Sequence, residues 1–184
     1  AILVSRYDHC LHDLLWRWRR DELDAEVVLV ASNHLDFKDD VEALGLPFHH
    51  IPVSKDTKPQ AEVELLQTLD GSCDFVVLAR YMQILSADLC ADFRGRIINI
   101  HHSLLPSFKG AKPYTQAHDR GVKVIGATAH YVTADLDEGP IIEQDFRRVD
   151  HRMSPAELAS VGQELEAMAL ARAVRWHVEH RVIL

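Results

Sequence analysis

A β-branched run near the middle of the chain reads Ile97-Ile98-Asn99-Ile100-His101 and continues into His102-Ser103-Leu104-Leu105-Pro106. Side chains alternate between the two faces of a strand, so Ile98 and Ile100 are predicted to point into a core. Asn99 and His101 then share the opposite face. Because asparagine is depleted in strands, this pair at a strand's end predicts a functional role. The alternative is that both are ordinary polar residues bonded to water or backbone.

Four more apolar runs precede this one, and helical patterns separate them. The predicted strands cover 1–5, 26–31, 48–53, 74–80 and 96–101, and the predicted helices cover 9–20, 38–44, 59–69 and 86–93. Such alternation is typical of parallel strands joined by crossover helices. We therefore predict an α/β fold, with a mostly parallel twisted sheet and helices on both faces.

The pattern changes after residue 121. Strand-like segments at 122–133 and 141–149 flank the turn Leu136-Asp137-Glu138-Gly139-Pro140. Ser154-Pro155-Ala156-Glu157 is a capping box with proline at the first helical position, and it predicts a long helix over 154–179. A last strand is predicted at 181–184. No repeat or linker interrupts the chain, so residues 1–184 are interpreted as one domain.

Composition narrows the function classes. A net charge of −8 over 184 residues argues against nucleic acid as a partner, because phosphate binding needs clustered Lys and Arg. No apolar run reaches the ~18–20 residues of a membrane span. Three scattered cysteines without Cys-x-x-Cys spacing are typical of a reducing cytoplasm. The chain begins in a strand without Met, and we expect it to be a domain cut from a longer protein.

Ligands of open α/β sheets bind at the carboxyl ends of the strands. Segments 5–10, 80–85 and 99–106 are predicted to meet there. The first of these lacks the glycines of a nucleotide or phosphate site, which argues against such a ligand. The amide of Asn99, the imidazole of His101 and the carboxylate of Asp137 are a combination suited to acyl chemistry.

Four ordered motifs resemble those of the formyltetrahydrofolate-using formyltransferases. They read Asn99-Ile100-His101-x-Ser103-Leu104-Leu105-Pro106, Phe108-x-Gly110, Gly126-Ala127-Thr128-x-His130-Tyr131-Val132-Thr133 and Asp135-Leu136-Asp137-x-Gly139-Pro140-Ile141-Ile142. The resemblance spans essentially the whole chain, is densest at 78–147, and is strongest to the hydrolytic branch, the formyltetrahydrofolate deformylases. It implies a Rossmann-like formyltransferase fold, and we expect the branch's upstream ACT-type regulatory domain to be missing here.

The resemblance also implies roles for individual residues. Asn99, His101 and Asp137 match the family's catalytic triad. The family's pterin-binding wall is matched by Met82, Gln83, Ile84, Leu85, Thr133, Ala134 and Asp135. The implied substrate is 10-formyltetrahydrofolate, with neither cofactor nor metal required. In this mechanism Asn99 and a protonated His101 stabilise the oxyanion, and Asp137 accepts a proton from water.

Hydrolysis and amine formylation share this chemistry and differ in the acceptor. The glycinamide ribonucleotide formyltransferases resemble the chain less, because their Gly/Ser/Asn turn is replaced here by Arg6-Tyr7-Asp8-His9-Cys10. His102, where the transferases have proline, and the stretch Phe108-Lys109-Gly110-Ala111-Lys112-Pro113-Tyr114 also resemble deformylases. We therefore expect a hydrolase, with an amine-directed formyltransferase as the alternative.

Other interpretations stay open. A non-catalytic folate-binding module would need a vestigial triad. A metal hydrolase is suggested by twelve histidines, but the chain has no His-Glu-x-x-His motif. His130 is predicted to be a buried, hydrogen-bonded imidazole and Cys10 a packed thiol rather than a nucleophile. Arg80, Lys109 and Lys112 could form a positive rim for a folate tail, and a homo-oligomer is a possible assembly.

Overall fold

The computed structural model describes residues 1–107 and 113–183. Within them, seven strands form one sheet: Ile2–Val4 (β1), Val30–Ser32 (β2), Phe48–His50 (β3), Val76–Ala79 (β4), Ile97–His101 (β5), Val124–Tyr131 (β6) and Ile141–Arg148 (β7). The helices are His9–Arg19 (α1), Lys38–Glu42 (α2), Lys58–Leu69 (α3), Ala87–Asp92 (α4), Pro113–Asp119 (α5) and Pro155–Val178 (α6).

The sheet has the strand order β3-β2-β1-β4-β5-β6-β7. The first five strands pair in parallel, and β6 and β7 are antiparallel additions at one edge. The α/β prediction is therefore confirmed. β2 and β3 lie on one side of β1, and β4 to β7 lie on the other, so the strand order reverses at β1. At such a reversal, a crevice opens at the carboxyl ends of the strands.

Two hydrophobic clusters cover the two faces of the sheet. One packs α1 and α6 against the sheet and includes Leu11, Leu14, Ile98, Ile100 and Leu170. The other packs α3 and α4 and includes Leu65, Leu89 and Ile97. Ile98 and Ile100 thus lie in a core as predicted, while Ile97, on the face of Asn99, is buried as well.

Side-chain caps begin two of the helices, and the one at α6 is the capping box that the sequence predicts. Ser154 and Glu157 form a reciprocal capping box, and Pro155 opens α6. The Ser86 hydroxyl accepts a hydrogen bond from the Leu89 amide at the start of α4. These caps determine the residue at which each helix begins. The starting residue in turn determines which side chains of the helix face the core. Among the described residues, no helix combines the length and apolar character that crossing a membrane requires.

Three elements differ from the sequence predictions. Residues 181–183 form no strand; Val182 packs against the core without pairing, and Ile183 is almost fully exposed. The strand predicted at 26–31 starts only at Val30, because its ladder with β1 begins at the Ile2–Val30 pair. Helix α5 was not predicted, since seven residues with only Pro113 and Ala117 buried carry a weak pattern.

Candidate active site

A cavity of about 600 Å³ lies at the carboxyl ends of β1, β4 and β5. The three predicted segments all reach it, through Tyr7 and His9, through 80–85, and through 99–102. Its other walls come from α5, α6 and the loop between β6 and β7. The strand order therefore determines which loops build the site.

Asn99 and His101 reach the cavity from the last residues of β5. Asn99 pairs across the antiparallel ladder with His130 of β6, and His101 pairs with Thr128. Beyond the strand, Thr128 Oγ1 accepts a hydrogen bond from the Leu105 amide at 3.0 Å and donates one to the Ser103 carbonyl at 2.8 Å. This buried hydroxyl fastens the loop that follows β5, so both side chains sit on rigid backbone.

Asp137 comes from the loop between β6 and β7. Its backbone is left-handed, with φ of 57°, which is strained for a residue other than glycine. Two residues on, Gly139 lies so close to the end of β6 that a Cβ there would overlap the Tyr131 carbonyl. The Tyr131 amide also donates to the Pro140 carbonyl at 2.9 Å. The turn is thus clamped to β6, which places the Asp137 carboxylate over the cavity.

The three predicted catalytic side chains meet in this arrangement. Asp137 Oδ2 lies 3.4 Å from His101 Nδ1, and its Oδ1 lies 3.8 Å from His130 Nε2. The hydrogen bond with His101, opposed by burial, lowers the pKa of Asp137, so the side chain is a carboxylate at neutral pH. The catalytic role of the three residues stays a prediction.

His130 links Asn99 to Asp137. Its Nδ1 lies 2.9 Å from the Tyr131 carbonyl, which can only accept, so Nδ1 carries the proton. Burial lowers the pKa of His130, and the neutral ring therefore accepts a hydrogen bond at Nε2 from Asn99 Nδ2, 3.1 Å away. The sequence predicted a buried, bonded imidazole, which is confirmed, but not its contacts with both site residues.

The predicted pterin-binding wall lies on one side of the triad. Met82, Gln83, Ile84, Leu85, Thr133 and Ala134 line the cavity, and we call these six residues the outer wall. Ile84 is 58% exposed and Met82 is 52% exposed, so their apolar surface is open to a ligand. The Ser5 hydroxyl accepts from the Met82 amide at 2.9 Å and holds this segment against β1.

Asp135 differs from the rest of the predicted wall. It is exposed and is not among the residues that line the cavity. Its carbonyl accepts hydrogen bonds from the Thr133 hydroxyl and the Glu138 amide. Asp135 therefore shapes the loop that carries Asp137 rather than facing the ligand space.

The opposite side of the cavity holds a buried polar cluster that sequence reasoning missed. Glu166 of α6 is 1% exposed and accepts hydrogen bonds from His9 Nε2 at 2.8 Å and from the Tyr114 hydroxyl at 2.5 Å. Arg80 Nη1 lies 3.3 Å from the same carboxylate, and its guanidinium stacks on the Tyr7 ring at 4.7 Å. We call His9, Arg80, Tyr114 and Glu166 the inner cluster.

Electrostatics keep the inner cluster charged. Burial opposes ionisation of Glu166, but the hydrogen bonds from His9 and Tyr114 and the charge of Arg80 outweigh it, and its pKa lies below the ordinary value. Burial together with Glu166 raises the pKa of Tyr114, so the phenol stays protonated and donates. The cluster is thus a carboxylate held by two hydrogen-bond donors, His9 and Tyr114, and by an ion pair with Arg80.

His102 stands between the triad and the inner cluster. Its ring centroid lies 5.2 Å from that of His101 and 6.3 Å from that of Tyr114. Burial, reinforced by the charge of Arg80, lowers the pKa of His102 to about 4. His102 is therefore neutral at physiological pH, and it joins the two polar groups without adding charge.

Unpaired nitrogen atoms mark this cavity as a ligand site. Within the described residues, the buried side-chain atoms without a hydrogen-bond partner are His9 Nδ1, Arg80 Nε and Nη1, and His101 Nε2. All belong to residues that line the cavity. Buried polar groups are rarely left unpaired in native proteins, so bound water or substrate is expected to satisfy them.

The cluster also bears on the metal and thiol alternatives. His9, Cys10 and Glu166 bring possible ligand atoms within 4.8 Å of one another. The guanidinium of Arg80 on the same carboxylate disfavours a cation there. Burial and the charge of Glu166 raise the pKa of Cys10 well above its usual range, so its thiol is neither a ready ligand nor a nucleophile.

Arg80 does not lie on a surface rim. It is 6% exposed and occupied by Glu166 and Tyr7. Lys109 and Lys112, the other members of the predicted rim, lie outside the described residues, as does most of the deformylase-like stretch 108–114.

A sequence signal for Glu166 did exist. The buried face of α6 includes Leu158, Gly162, Leu165, Ala169 and Leu170, at helical spacing. Glu166 falls within this stripe, one turn after Gly162. A carboxylate in an apolar stripe must be paired, which identifies it as a residue of interest.

Comparison with known proteins gives the family. The model of the formyl transferase family matches residues 1–174. The chain is 58% identical to a formyltetrahydrofolate deformylase of Corynebacterium sp. (strain P-1), covering all of this chain and 64% of the relative. It is 53% identical to one of Bacillus subtilis, covering 62% of that relative. The chain thus spans less than two thirds of these curated relatives' length.

Solved structures agree with this comparison. A crystal structure of a formyltetrahydrofolate deformylase from Pseudomonas syringae pv. tomato superimposes with a TM-score of 0.97 at 52% identity, over all of this chain and 62% of that one. Glycinamide ribonucleotide transformylase 1 of Symbiobacterium toebii gives 0.91 at 30% identity, over all of this chain and 88% of its own. Both branches share the fold, and the hydrolytic branch is the more similar of the two.

Proposed function

This chain belongs to the formyl transferase family, and we propose that it hydrolyses 10-formyltetrahydrofolate to formate and tetrahydrofolate. One observation carries the proposal: an amide, an imidazole and a carboxylate, from Asn99, His101 and Asp137, meet in one cavity beside an exposed apolar wall. The greater similarity to relatives named formyltetrahydrofolate deformylase supports hydrolysis over amine formylation.

The outer wall is proposed to bind the pterin ring. An aromatic heterocycle covers the exposed apolar surface of Met82 and Ile84, and backbone groups of the same segment supply hydrogen bonds. The N10 formyl group then extends past Asp137 toward Asn99. The substrate brings the reacting group with it, so the proposal requires neither a cofactor nor a metal.

Asn99 is proposed to stabilise the oxyanion. Its Nδ2 carries two N–H groups, and His130 Nε2 accepts only one of them. The second N–H is available to the formyl oxygen as that atom becomes negative in the tetrahedral intermediate. A pre-positioned donor of this type contributes about 10²–10³ in kcat.

Asp137 and His101 are proposed to move the protons. The Asp137 carboxylate accepts a proton as the water oxygen bonds to the formyl carbon. The same carboxylate, 3.4 Å away, stabilises a protonated His101, whose Nε2 has no other partner among the described residues. That nitrogen donates to the oxyanion, and N10 takes up a proton from His101 or through water as the C–N10 bond breaks.

The substitution Asp137→Asn tests this assignment. It preserves the size of the side chain and removes the proton acceptor, so formate release from 10-formyltetrahydrofolate should fall by about 10²–10⁴. Binding of tetrahydrofolate, measured by calorimetry, should change little. The control is Asp88→Asn, at an exposed position of α4 away from the cavity. Near-normal turnover by Asp137→Asn would contradict the assignment of the base.

A further inference from the structure

The cavity has two chemically different ends with the triad between them. The outer wall exposes the apolar side chains of Met82 and Ile84, whereas the inner cluster is buried and charged. His102 connects the two groups, since its ring contacts both His101 and Tyr114. If the pterin occupies the outer wall, the attacking atom must reach the formyl carbon from the side of the inner cluster.

Side chains from four elements fill that side. His9 begins α1, Arg80 follows β4 in a left-handed conformation with φ of 63°, Tyr114 lies on α5, and Glu166 lies on α6. The Glu166 carboxylate is bonded to, or paired with, the other three. One buried acceptor therefore holds three long side chains at the same place.

The position of Tyr114 is built into α6. A Cβ at Gly162 would overlap the Tyr114 ring, so the missing side chain makes room for the ring to lie against the helix. Glu166, one turn later on the same face, accepts from the hydroxyl of that ring. Gly162 thus leaves space for the Tyr114 ring, and Glu166 on the same helix binds its hydroxyl.

We propose that the inner cluster is a specificity element that fills the space beside the formyl carbon, so that water is admitted as nucleophile and amines are excluded. This inference rests on the proposed hydrolysis and adds the residues that restrict the acceptor. His9 and Tyr114 act by occupying space, and Glu166 is a positioning residue that acts through them. Larger nucleophiles are excluded by volume, since the cluster cannot move without leaving the Glu166 carboxylate unpaired.

Water is suited to the space that remains. His9 Nδ1 and Arg80 Nε are buried and have no partner among the described residues, so polar groups are available to a small molecule. A water molecule needs two to four such partners and little room. An amine acceptor carries carbon substituents that need room as well, and in this proposal the His9 and Tyr114 rings occupy that room.

The test is the partition of the formyl group between water and an added amine. The probe is glycinamide, a small primary amine, mixed with 10-formyltetrahydrofolate at mildly alkaline pH. Its nitrogen would attack the formyl carbon and lose a proton to Asp137, the C–N10 bond would break, and N10 would be protonated. Mass spectrometry then gives the ratio of N-formylglycinamide to formate.

The variants are His9→Gly and Tyr114→Ala, which open the space from two different elements. Each should raise the ratio of formylated amine to formate at least tenfold over the parent chain. Tyr114→Phe keeps the ring and should leave the ratio low, which separates occupied volume from the lost hydrogen bond. His12→Ala, at an exposed histidine one turn along α1, is the control.

The outcomes separate this inference from the proposed function. Absence of formate release by the parent chain would overturn the proposed hydrolysis. An unchanged product ratio in either opened variant that still releases formate would overturn the role of the inner cluster alone. Because the ratio is measured within one reaction, a general loss of stability or activity does not alter it.

Discussion

The two ends of the cavity bind by different physical means. The outer wall offers exposed apolar side chains, with Ile84 58% exposed. The inner cluster places a carboxylate, 1% exposed, against a guanidinium, an imidazole and a phenol. At the outer wall, the apolar area that a ligand covers determines how tightly it binds. At the inner cluster, charge and hydrogen bonds determine where the side chains lie.

The two ends of the cavity are expected to tolerate substitution differently. An exposed apolar side chain contributes mainly when a ligand covers it, so its loss affects binding and little else. A buried ion pair contributes little net stability but becomes costly once one partner is removed. We therefore expect substitutions at the inner end to affect folding, pH response and the choice of acceptor, and those at the outer end to affect only KM.

The largest expected effect comes from Glu166→Ala. It leaves Arg80 buried without its carboxylate, and the free energy of unfolding should fall by about 3–5 kcal/mol. Urea denaturation followed by circular dichroism measures this change. The control is Glu164→Ala on the same helix, where an exposed pair with Arg147 should be worth at most about 1 kcal/mol. Equal losses in the two variants would show that the buried carboxylate is no more important for stability than an exposed one.

An intermediate effect is expected from acid. His102 has an ordinary pKa of 6.5 in the unfolded chain and about 4 in the folded one. Between these values the unfolded state takes up a proton that the folded state does not, so stability falls as pH falls. At about 1.4 kcal/mol per pH unit, the loss approaches about 3 kcal/mol near pH 4.

The variant His102→Asn isolates this contribution. Its free energy of unfolding should decrease less steeply than that of the parent from pH 6.5 to 4. Some dependence remains, because burial also lowers the pKa of His130. His151→Asn, at an exposed position, provides the comparison. Parallel stability profiles for His102→Asn and the parent chain would show that His102 is not responsible.

The smallest effect is expected at the outer wall. Ile84→Ser should raise the KM for 10-formyltetrahydrofolate about fivefold, which corresponds to about 1 kcal/mol of lost apolar contact, and kcat should stay unchanged. Stability should change by less than about 0.5 kcal/mol. Val63→Ser, a similarly exposed position on α3, should change neither quantity. A fall in kcat without a change in KM would mean that Ile84 does not contact the ground-state substrate.

The sequence predicted what depends on local pattern. Alternating apolar runs predicted the parallel sheet, and the Ser154–Glu157 box predicted where α6 begins. Asn99, His101 and Asp137 were identified together because their motifs are ordered along the chain. That all three line one cavity, with Asp137 3.4 Å from His101, depends on the strand order, which local pattern does not contain.

The sequence could not predict features that depend on distant partners. Strand β2 starts where its β1 partner permits, so the apolar Val27 and Val28 stay outside the ladder. Residues 181–183 are apolar at Val182 and Ile183 but have no neighbouring strand to pair with. Glu166 falls in the apolar stripe of α6, yet its partners lie 157, 86 and 52 residues away at His9, Arg80 and Tyr114.

The hydrogen bond between Asn99 and His130 determines how the Asn99 amide is oriented, with its nitrogen toward the imidazole. His130 carries its proton on Nδ1, so its other nitrogen presents a lone pair. A flipped amide would set the Asn99 oxygen against that lone pair, and the two would repel. The amide therefore keeps a single orientation, and an isosteric aspartate in its place would meet the same repulsion unless the imidazole gained a second proton.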